Sequence, residues 1–207
     1  MDSNIARGAV VMEYATLGAV IYPRIEGLRN SRVQKHINAL LKRRVRSLLR
    51  RQGFGQPNTY VWGANETRLN ASGVLSITED IYAYREHAAH GLTMRTAATF
   101  DLVSGRLYPL SELFRSGIDY ITPISQEIKR QLEVKEIPLL RDFAFIAPNQ
   151  EYYIAATALV VYFQTYDYTP YYVGIPEFPI PLHSLTDYID EQSPLHRLIP
   201  HLELTKK

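Results

Sequence analysis

The sequence predicts an α+β fold, with antiparallel sheets, two main amphipathic helices packed on them, and two intertwined sub-domains. Strand-like runs follow one another through connections of hairpin length, and two well-separated segments show helical spacing of their apolar residues. Sheets covered by helices explain both patterns better than a doubly wound parallel sheet, in which strands and helices alternate.

The first predicted strand covers residues 9–22, which are rich in β-branched residues and are followed by a proline. We predict one long strand with a bulge at Gly18. Three further strand-like runs, 59–70, 74–85 and 92–102, predict an antiparallel meander. An Asn-Ala-Ser-Gly sequence between the first two of these runs is typical of a hairpin turn.

A helix is predicted between a cap at Asn30 or Ser31 and a stop at Gly53. Nine lysines and arginines lie in residues 29–51, so the rest of the chain carries about −7 of the net charge of +2. Arg44 falls within the apolar arc, where its side chain must either extend to solvent or find a partner. The opposite arc forms a basic face of Arg32, Lys35, Lys42, Arg43, Arg46 and Arg50.

The second half of the chain contains a short helical cap at 107–114 and an amphipathic helix that starts at 121 and ends before Pro138. A long strand at 152–163 follows. After it come a proline-punctuated stretch at 171–181 and a short helix at 182–189. Most of the fifteen tyrosines lie in this half, and tyrosine suits half-buried sheets and contact surfaces.

No catalytic, cofactor or metal-binding motif is present, so we predict a protein that is not an enzyme and has no cofactor. The chain has no cysteine, no Gly-x-Ser-x-Gly elbow and no phosphate-binding loop. His87 and His90 are three residues apart near a strand end, where a structural turn is the better interpretation than a metal site. A carboxylate enzyme using Glu79 or Glu86 remains an alternative.

The location of the protein is left open by its composition. No apolar run reaches the roughly 18 residues of a membrane-spanning helix, and residues 1–8 do not resemble a signal peptide. The cytoplasm is therefore the default expectation, with no insertion of this chain into a membrane. A 46% hydrophobic chain of 207 residues can bury a sizeable core, and we expect a monomer or weak dimer.

The order of several motifs resembles the RsiV-like C-terminal domain family. These are Ala89-His90-Gly91 after a meander strand, the segments 99–106 and 110–114, and the long segment 163–181. The family usually has Gly-Ala-His-Gly at the first of these motifs, and Ala88 replaces its first glycine here. The motif residues expected to be structural are His90, Gly91, Asp101, Gly105, Gly174 and Pro176.

Residues 22–25 and the helix from Asn30 are similar to the N-terminal partner domain of PdaC-type and RsiV-type proteins. The resemblance implies a PdaC/RsiV-type sub-domain at 9–90, an RsiV-like sub-domain at 91–190 and a polar tail at 191–207.

The resemblance also implies a non-catalytic binding or sensory domain of the cell envelope, usually tethered to a Gram-positive membrane. Its ligand would be lysozyme-like or related to peptidoglycan. Lysozyme is cationic, so the basic face would repel it and the contact would come from the acidic remainder or the tyrosine-rich loop. The predicted ligand-binding residues are Tyr166, Tyr168, Tyr171, Tyr172, Glu177 and Phe178.

A second alternative uses the basic face, which would attract an anionic polymer or nucleic acid. No aromatic residues interleave with its charges and no nucleic-acid-binding motif occurs, so a nucleic-acid partner is not expected.

Overall fold

The computed structural model describes residues 10–17 and 20–199. It divides the chain into two compact units, unit 1 (Met1–Leu107) and unit 2 (Tyr108–Lys207). Each unit is formed by one continuous stretch of chain, whereas we predicted that the sub-domains intertwine. Both units combine antiparallel strands with one main helix, so the predicted α+β class is confirmed.

Unit 1 begins with a β-hairpin where the sequence predicted one long strand. Strand β1 (Val11–Leu17) pairs antiparallel with β2 (Val20–Glu26), and Leu17 lies opposite Val20. The prediction of a single strand was therefore wrong, and its proposed bulge at Gly18 lies outside the described residues. Burial differs between the two strands, because β2 places most of its residues in the core whereas no residue of β1 is fully buried. The buried residues of β2 include Val20, Tyr22 and Ile25.

The predicted first helix is confirmed as α1 (Ser31–Arg51). Asn30 caps it, because its Oδ1 accepts hydrogen bonds from the backbone N–H groups of Arg32 and Val33, at 3.1 and 3.3 Å. The helix buries one stripe at helical spacing and leaves the other exposed. The buried stripe is Ile37, Leu41, Val45, Leu48 and Leu49.

The meander is also confirmed, as β3 (Thr59–Ala71), β4 (Val74–Arg85) and β5 (Leu92–Asp101) in that order. One face of this sheet packs on α1 and forms the core of unit 1. Strand β5 pairs with β4 along its whole length. The predicted boundary between residues 90 and 91 would separate these two strands, whereas the two units divide between residues 107 and 108.

Unit 2 packs α2 (Ile121–Val134), the predicted second helix, against a three-stranded antiparallel sheet. The strand order is β6 (Tyr152–Ile154), β7 (Ala158–Tyr162) and β8 (Glu177–Pro181). Gln131 joins helix to sheet by donating a hydrogen bond from Nε2 to the carbonyl oxygen of Pro179, at 2.8 Å. The predicted cap before α2 is a single 3₁₀ turn.

Three expectations for unit 2 need correction. The run 152–163 is a hairpin and not one strand, closed by a hydrogen bond from the N–H of Ala155 to the carbonyl oxygen of Ala158, at 2.8 Å. The helix expected at 182–189 is reduced to the 3₁₀ turn Leu182–Ser184.

The third correction concerns the predicted polar tail at 191–207. Its described part, residues 191–199, folds onto unit 2 through the 3₁₀ turn Pro194–Leu198. Leu195 in this turn is completely buried. Residues 200–207 lie outside the described part of the chain.

Candidate ligand-binding surfaces

Three of the six predicted ligand-binding residues lie on the surface of unit 2. Tyr166, Tyr171 and Tyr172 are 47%, 37% and 78% exposed, and the rings of Tyr166 and Tyr171 stack with centroids 5.9 Å apart. Leu140 is 57% exposed, and its backbone N–H donates to the carbonyl oxygen of Tyr168 at 2.8 Å, so it lies beside the same loop. We call Tyr166, Tyr171, Tyr172 and Leu140 the tyrosine surface.

The other three predicted residues, Tyr168, Glu177 and Phe178, are buried or half-buried. Phe178 is 1% exposed and lies in the core, so a ligand cannot contact it and that part of the prediction was wrong. Tyr168 is half-buried, with its ring edge-to-face to Phe143 at 5.4 Å. The Glu177 carboxylate accepts a hydrogen bond from the Tyr153 hydroxyl at 2.8 Å.

Tyr166 has a backbone conformation that a tyrosine rarely adopts, with φ of +73°. The turn that holds it is closed at both ends, because Asp167 N–H donates to the Gln164 carbonyl and Gln164 N–H donates to Asp167 Oδ2, both at 3.0 Å. A left-handed conformation costs a non-glycine residue roughly 1–2 kcal/mol. Such strain is often found at ligand-contacting sites.

The outer face of the sheet in unit 1 carries a second exposed aromatic group, the aromatic strip of Tyr60, Trp62 and Tyr82. The rings of Tyr60 and Trp62 are 6.3 Å apart and inclined by 25°, and those of Trp62 and Tyr82 are 5.7 Å apart. Tyr60 and Trp62 are 50% and 55% exposed. We did not predict this strip, although aromatic residues at two-residue spacing on β3 and opposite them on β4 are a signal for it.

Gly91, from the family motif, leaves the space that the ring of Tyr82 fills. A Cβ at Gly91 would collide with that ring and would lie 2.5 Å from the carbonyl oxygen of Ala83. The glycine is therefore needed for a close approach. The adjacent His90 has Nδ1 2.9 Å from the carbonyl oxygen of Gly91. His87 adopts a φ of +67°, and no group of three or more metal-ligating side chains occurs among residues 10–17 and 20–199.

The remaining motif residues lie at strand ends or in the connections between elements. Asp101 Oδ1 accepts a hydrogen bond from Val103 N–H at 2.7 Å, and its carbonyl oxygen accepts one from Gly105 N–H at 2.8 Å. Gly105 and Gly174 have φ values of +78° and +75°, which favour glycine. The carbonyl oxygen of Pro176 accepts a hydrogen bond from the backbone N–H of Phe163, at 3.3 Å.

The basic face of α1 borders an open groove of about 710 Å³. Of the six predicted residues of this face, Lys42 is half-buried and the other five are exposed. Arg44 is half-buried on the other side of the helix, and its Nη2 donates hydrogen bonds to Thr96 Oγ1 and to the carbonyl oxygen of Ala97. The groove is lined by Lys42, Arg43, Arg46 and Arg50 and by Leu17, Ala39, Leu49 and Phe54.

Glu79, a candidate in the enzyme alternative, is buried between α1 and the sheet. Neither of its carboxylate oxygens has a hydrogen-bond partner among the described residues, and burial raises its pKa to about 8, with a further contribution from the charge of Asp80. The cavity beside it measures about 10 Å³, and Glu79 is the one carboxylate in its described lining. Glu86 lies in an exposed turn beyond β4. These two carboxylates do not face each other across a cleft.

The fold is that of an α+β binding or regulatory domain without a recognisable catalytic site among the described residues, and comparison with known proteins agrees with this class. Residues 111–183 match the family described as protein of unknown function (DUF3298). This match, with the relative described next, confirms the resemblance to the RsiV-like domain family that the motifs predicted. The N-terminal partner domain at 9–90 stays a prediction.

Anti-sigma-V factor RsiV of Bacillus subtilis is 30% identical to this chain over 179 residues, which are 77% of this chain. The chain spans 60% of the length of that relative.

Two solved structures have the same fold. A DUF3298 family member from Bacteroides fragilis aligns with a TM-score of 0.65 over 93% of this chain and 98% of its own, at 15% identity. A DUF3298 family protein from Pseudomonas aeruginosa aligns with a TM-score of 0.60 over 87% of this chain and 92% of its own, also at 15% identity. Within the described residues, no helix is long and apolar enough to cross a membrane.

Proposed function

We propose that this chain is a non-catalytic binding domain whose unit 2 recognises a cationic protein of the cell envelope through the tyrosine surface. The observation that carries the proposal is the position of this surface. Its four residues fall within 111–183, the part of the chain that matches the DUF3298 family. Lysozyme, the ligand that the RsiV-like resemblance implies, is a cationic protein of this kind.

The charge of unit 2 supports a cationic ligand. Unit 2 contains 13 Asp and Glu residues against 8 Lys and Arg residues, a net charge of −5, whereas unit 1 contains 8 against 15, a net charge of +7. A net negative unit attracts a cationic protein over several ångströms and speeds its association at low ionic strength. The two units therefore favour opposite partners.

The chemistry of the tyrosine surface supports recognition of a protein. Tyrosine offers a rigid, amphipathic ring with few rotatable bonds, so little conformational entropy is lost on binding. Stacking of Tyr166 on Tyr171 and the closed turn around Tyr166 hold two of these rings in place before a ligand arrives. Aromatic anchors of this type contribute most of the binding energy in many interfaces.

Titration of the full chain with lysozyme by calorimetry tests the proposal. We expect saturable binding that weakens with salt and falls at least tenfold in Tyr171→Ala/Tyr172→Ala. The matched control is Tyr14→Ala, because Tyr14 is 59% exposed but lies in unit 1. Unchanged affinity in the double variant, with folding intact by circular dichroism, would reject the tyrosine surface as the contact.

A glycan is the second candidate ligand, and the aromatic strip favours it. Sugar rings have flat apolar faces that stack on exposed aromatic rings, and Tyr60 and Trp62 offer two neighbouring rings inclined by only 25°. Titration with soluble peptidoglycan fragments is expected to quench the fluorescence of Trp62, the one tryptophan of the chain. Trp62→Phe/Tyr60→Ala should abolish binding measured by calorimetry, and Tyr14→Ala again serves as the control.

The enzyme alternative receives no support from Glu79 and Glu86, whose positions do not form a pair. An envelope location is part of the proposal, because it follows from the resemblance to membrane-tethered relatives. Fractionation of the source cells tests it: recovery of the native protein from the cytoplasmic fraction alone would contradict an envelope ligand.

A further inference from the structure

The basic groove of unit 1 is lined by both cationic and apolar side chains. Its lining includes four cations, Lys42, Arg43, Arg46 and Arg50, and the apolar residues Leu17, Leu49 and Phe54. We propose that the groove binds a single amphiphilic anion, meaning a molecule with one anionic head group and a long alkyl chain. This site is independent of the tyrosine surface, which lies in the other unit.

The cations of the groove are available for a ligand. Within the described part of the chain, none of Lys42, Arg43, Arg46 and Arg50 forms an ion pair or a side-chain hydrogen bond. Lys42, Arg46 and Arg50 recur every four residues, which places successive side chains about 6 Å apart along the helix axis. Arginine binds carboxylate or phosphate through two parallel hydrogen bonds, so two neighbouring guanidinium groups can hold one head group.

The apolar part of the lining is what selects a chain-bearing anion. Phe54 is 41% exposed, so an alkyl chain placed against it would cover apolar surface that now meets water. A volume of about 710 Å³ is within the range of roughly 300–1,000 Å³ that is usual for small-molecule sites. An anion without an apolar part would leave these walls exposed.

A nucleic acid fits the lining less well. Single strands bind by stacking successive bases on aromatic side chains between cations, and the described lining has one aromatic residue, Phe54. A hydrophilic anionic polymer would use the cations alone. Binding of either ligand in preference to an amphiphilic anion would therefore contradict the proposal.

Calorimetric titration with dodecyl phosphate below its micellar concentration tests the site in the full chain. We expect one saturable site, no comparable binding of inorganic phosphate, and at least tenfold weaker binding of dodecyl maltoside, which has the same chain and a neutral head. Arg46→Glu/Arg50→Glu should lower the affinity for dodecyl phosphate at least tenfold. Phe54→Ala should lower it several-fold with the net charge unchanged.

The matched control is Arg32→Glu/Lys35→Glu, which makes the same charge change on exposed residues of α1 outside the groove. Equal losses in the two charge-reversed variants would show attraction to net charge only and overturn the site. Equal binding of dodecyl maltoside would show a detergent-binding patch without head-group recognition. Tighter saturable binding of a DNA strand, or of anionic vesicles but not of the monomeric amphiphile, would replace the proposed ligand with a polymer or a membrane surface.

Discussion

Each unit contains a three-stranded antiparallel sheet packed against a helix, and unit 1 adds the β1–β2 hairpin, but the two units differ in what they present to solvent. The helix of unit 1 exposes cations, among them Arg43, Arg46 and Arg50, that form no ion pair with another described residue. In unit 2, Glu127 and Arg130 of α2 pair through two hydrogen bonds of 2.7 and 2.8 Å. The net charge is +7 for unit 1 and −5 for unit 2. Two units with similar sheets and helices therefore attract ligands of opposite charge, because their surface side chains differ.

The largest expected effect contrasts the glycines of the two units. Gly91→Ala should destabilise unit 1 by about 3 kcal/mol, because its Cβ has no room beside the ring of Tyr82 and the backbone of Ala83. Gly174→Ala in unit 2 should cost about 1 kcal/mol, because only its φ of +75° opposes it and no atom lies within 4 Å. Urea unfolding, followed by Trp62 fluorescence for unit 1 and by circular dichroism for the chain, measures both. Equal costs would mean that Gly91 has no packing role.

The next effect is the opposite dependence of the two units on pH. The pKa of Glu79 is raised from 4.5 to about 8, so the folded state holds a proton that the unfolded state has lost, and this contribution to stability falls as pH rises through that window. Glu79→Gln should remove this decline, so that the variant gains a few kcal/mol of stability over the parent between pH 5 and pH 9. Urea unfolding read by Trp62 fluorescence at both values checks this. A decline of the same size in the variant would place its origin elsewhere.

Glu127 in unit 2 gives the matched comparison. The hydrogen bond from Arg130 lowers the pKa of Glu127, so its contribution is present above the ordinary glutamate pKa and is lost as pH falls below it. Arg130 is 60% exposed and Glu127 is 25% exposed, so water screens the pair and Glu127→Gln should change stability only slightly. Urea unfolding of the variant should match that of the parent at pH 3 and show only a slightly lower free energy of unfolding at pH 7.

The smallest effect on stability is expected at Tyr166. Tyr166→Gly should leave the free energy of unfolding unchanged or raise it by up to about 1 kcal/mol, because glycine adopts a φ of +73° without strain. The same substitution should weaken lysozyme binding severalfold by removing one exposed ring. Chemical denaturation and calorimetry give the two readings. Loss of both stability and binding would mean that Tyr166 is a structural residue.

The sequence predicts elements well where apolar spacing and a stop signal agree. Both helices and the three-stranded meander have such signals, including Asn30 before α1 and the Asn-Ala-Ser-Gly turn between β3 and β4. The predictions for the runs 9–22 and 152–163 failed in different ways. In the first run Gly18 was interpreted as a bulge, and in the second no residue signals a turn. Ala155, Ala156 and Thr157 supply no glycine, proline or asparagine to mark the reversal.

The candidate sites follow a similar rule. A helical wheel is enough to find the basic face, because exposure follows from the spacing on α1. Phe178 was misplaced because a proline-rich stretch hides the alternation of β8, in which Phe178 and Ile180 point inward. The groove beside α1 could not be predicted, since Leu17 reaches it only through the hairpin that the sequence did not reveal.

The hydrogen bond from the Leu140 amide to the carbonyl oxygen of Tyr168 connects the loop before β6 to the loop that carries the tyrosines. Its amide proton exchanges with solvent only when that connection opens. A ligand that holds the tyrosines in place must also reduce this opening, so deuterium uptake at Leu140 should slow by the factor by which the ligand stabilises the closed loop. One backbone proton, remote in sequence from every tyrosine of the surface, thus reports its occupancy without any substitution.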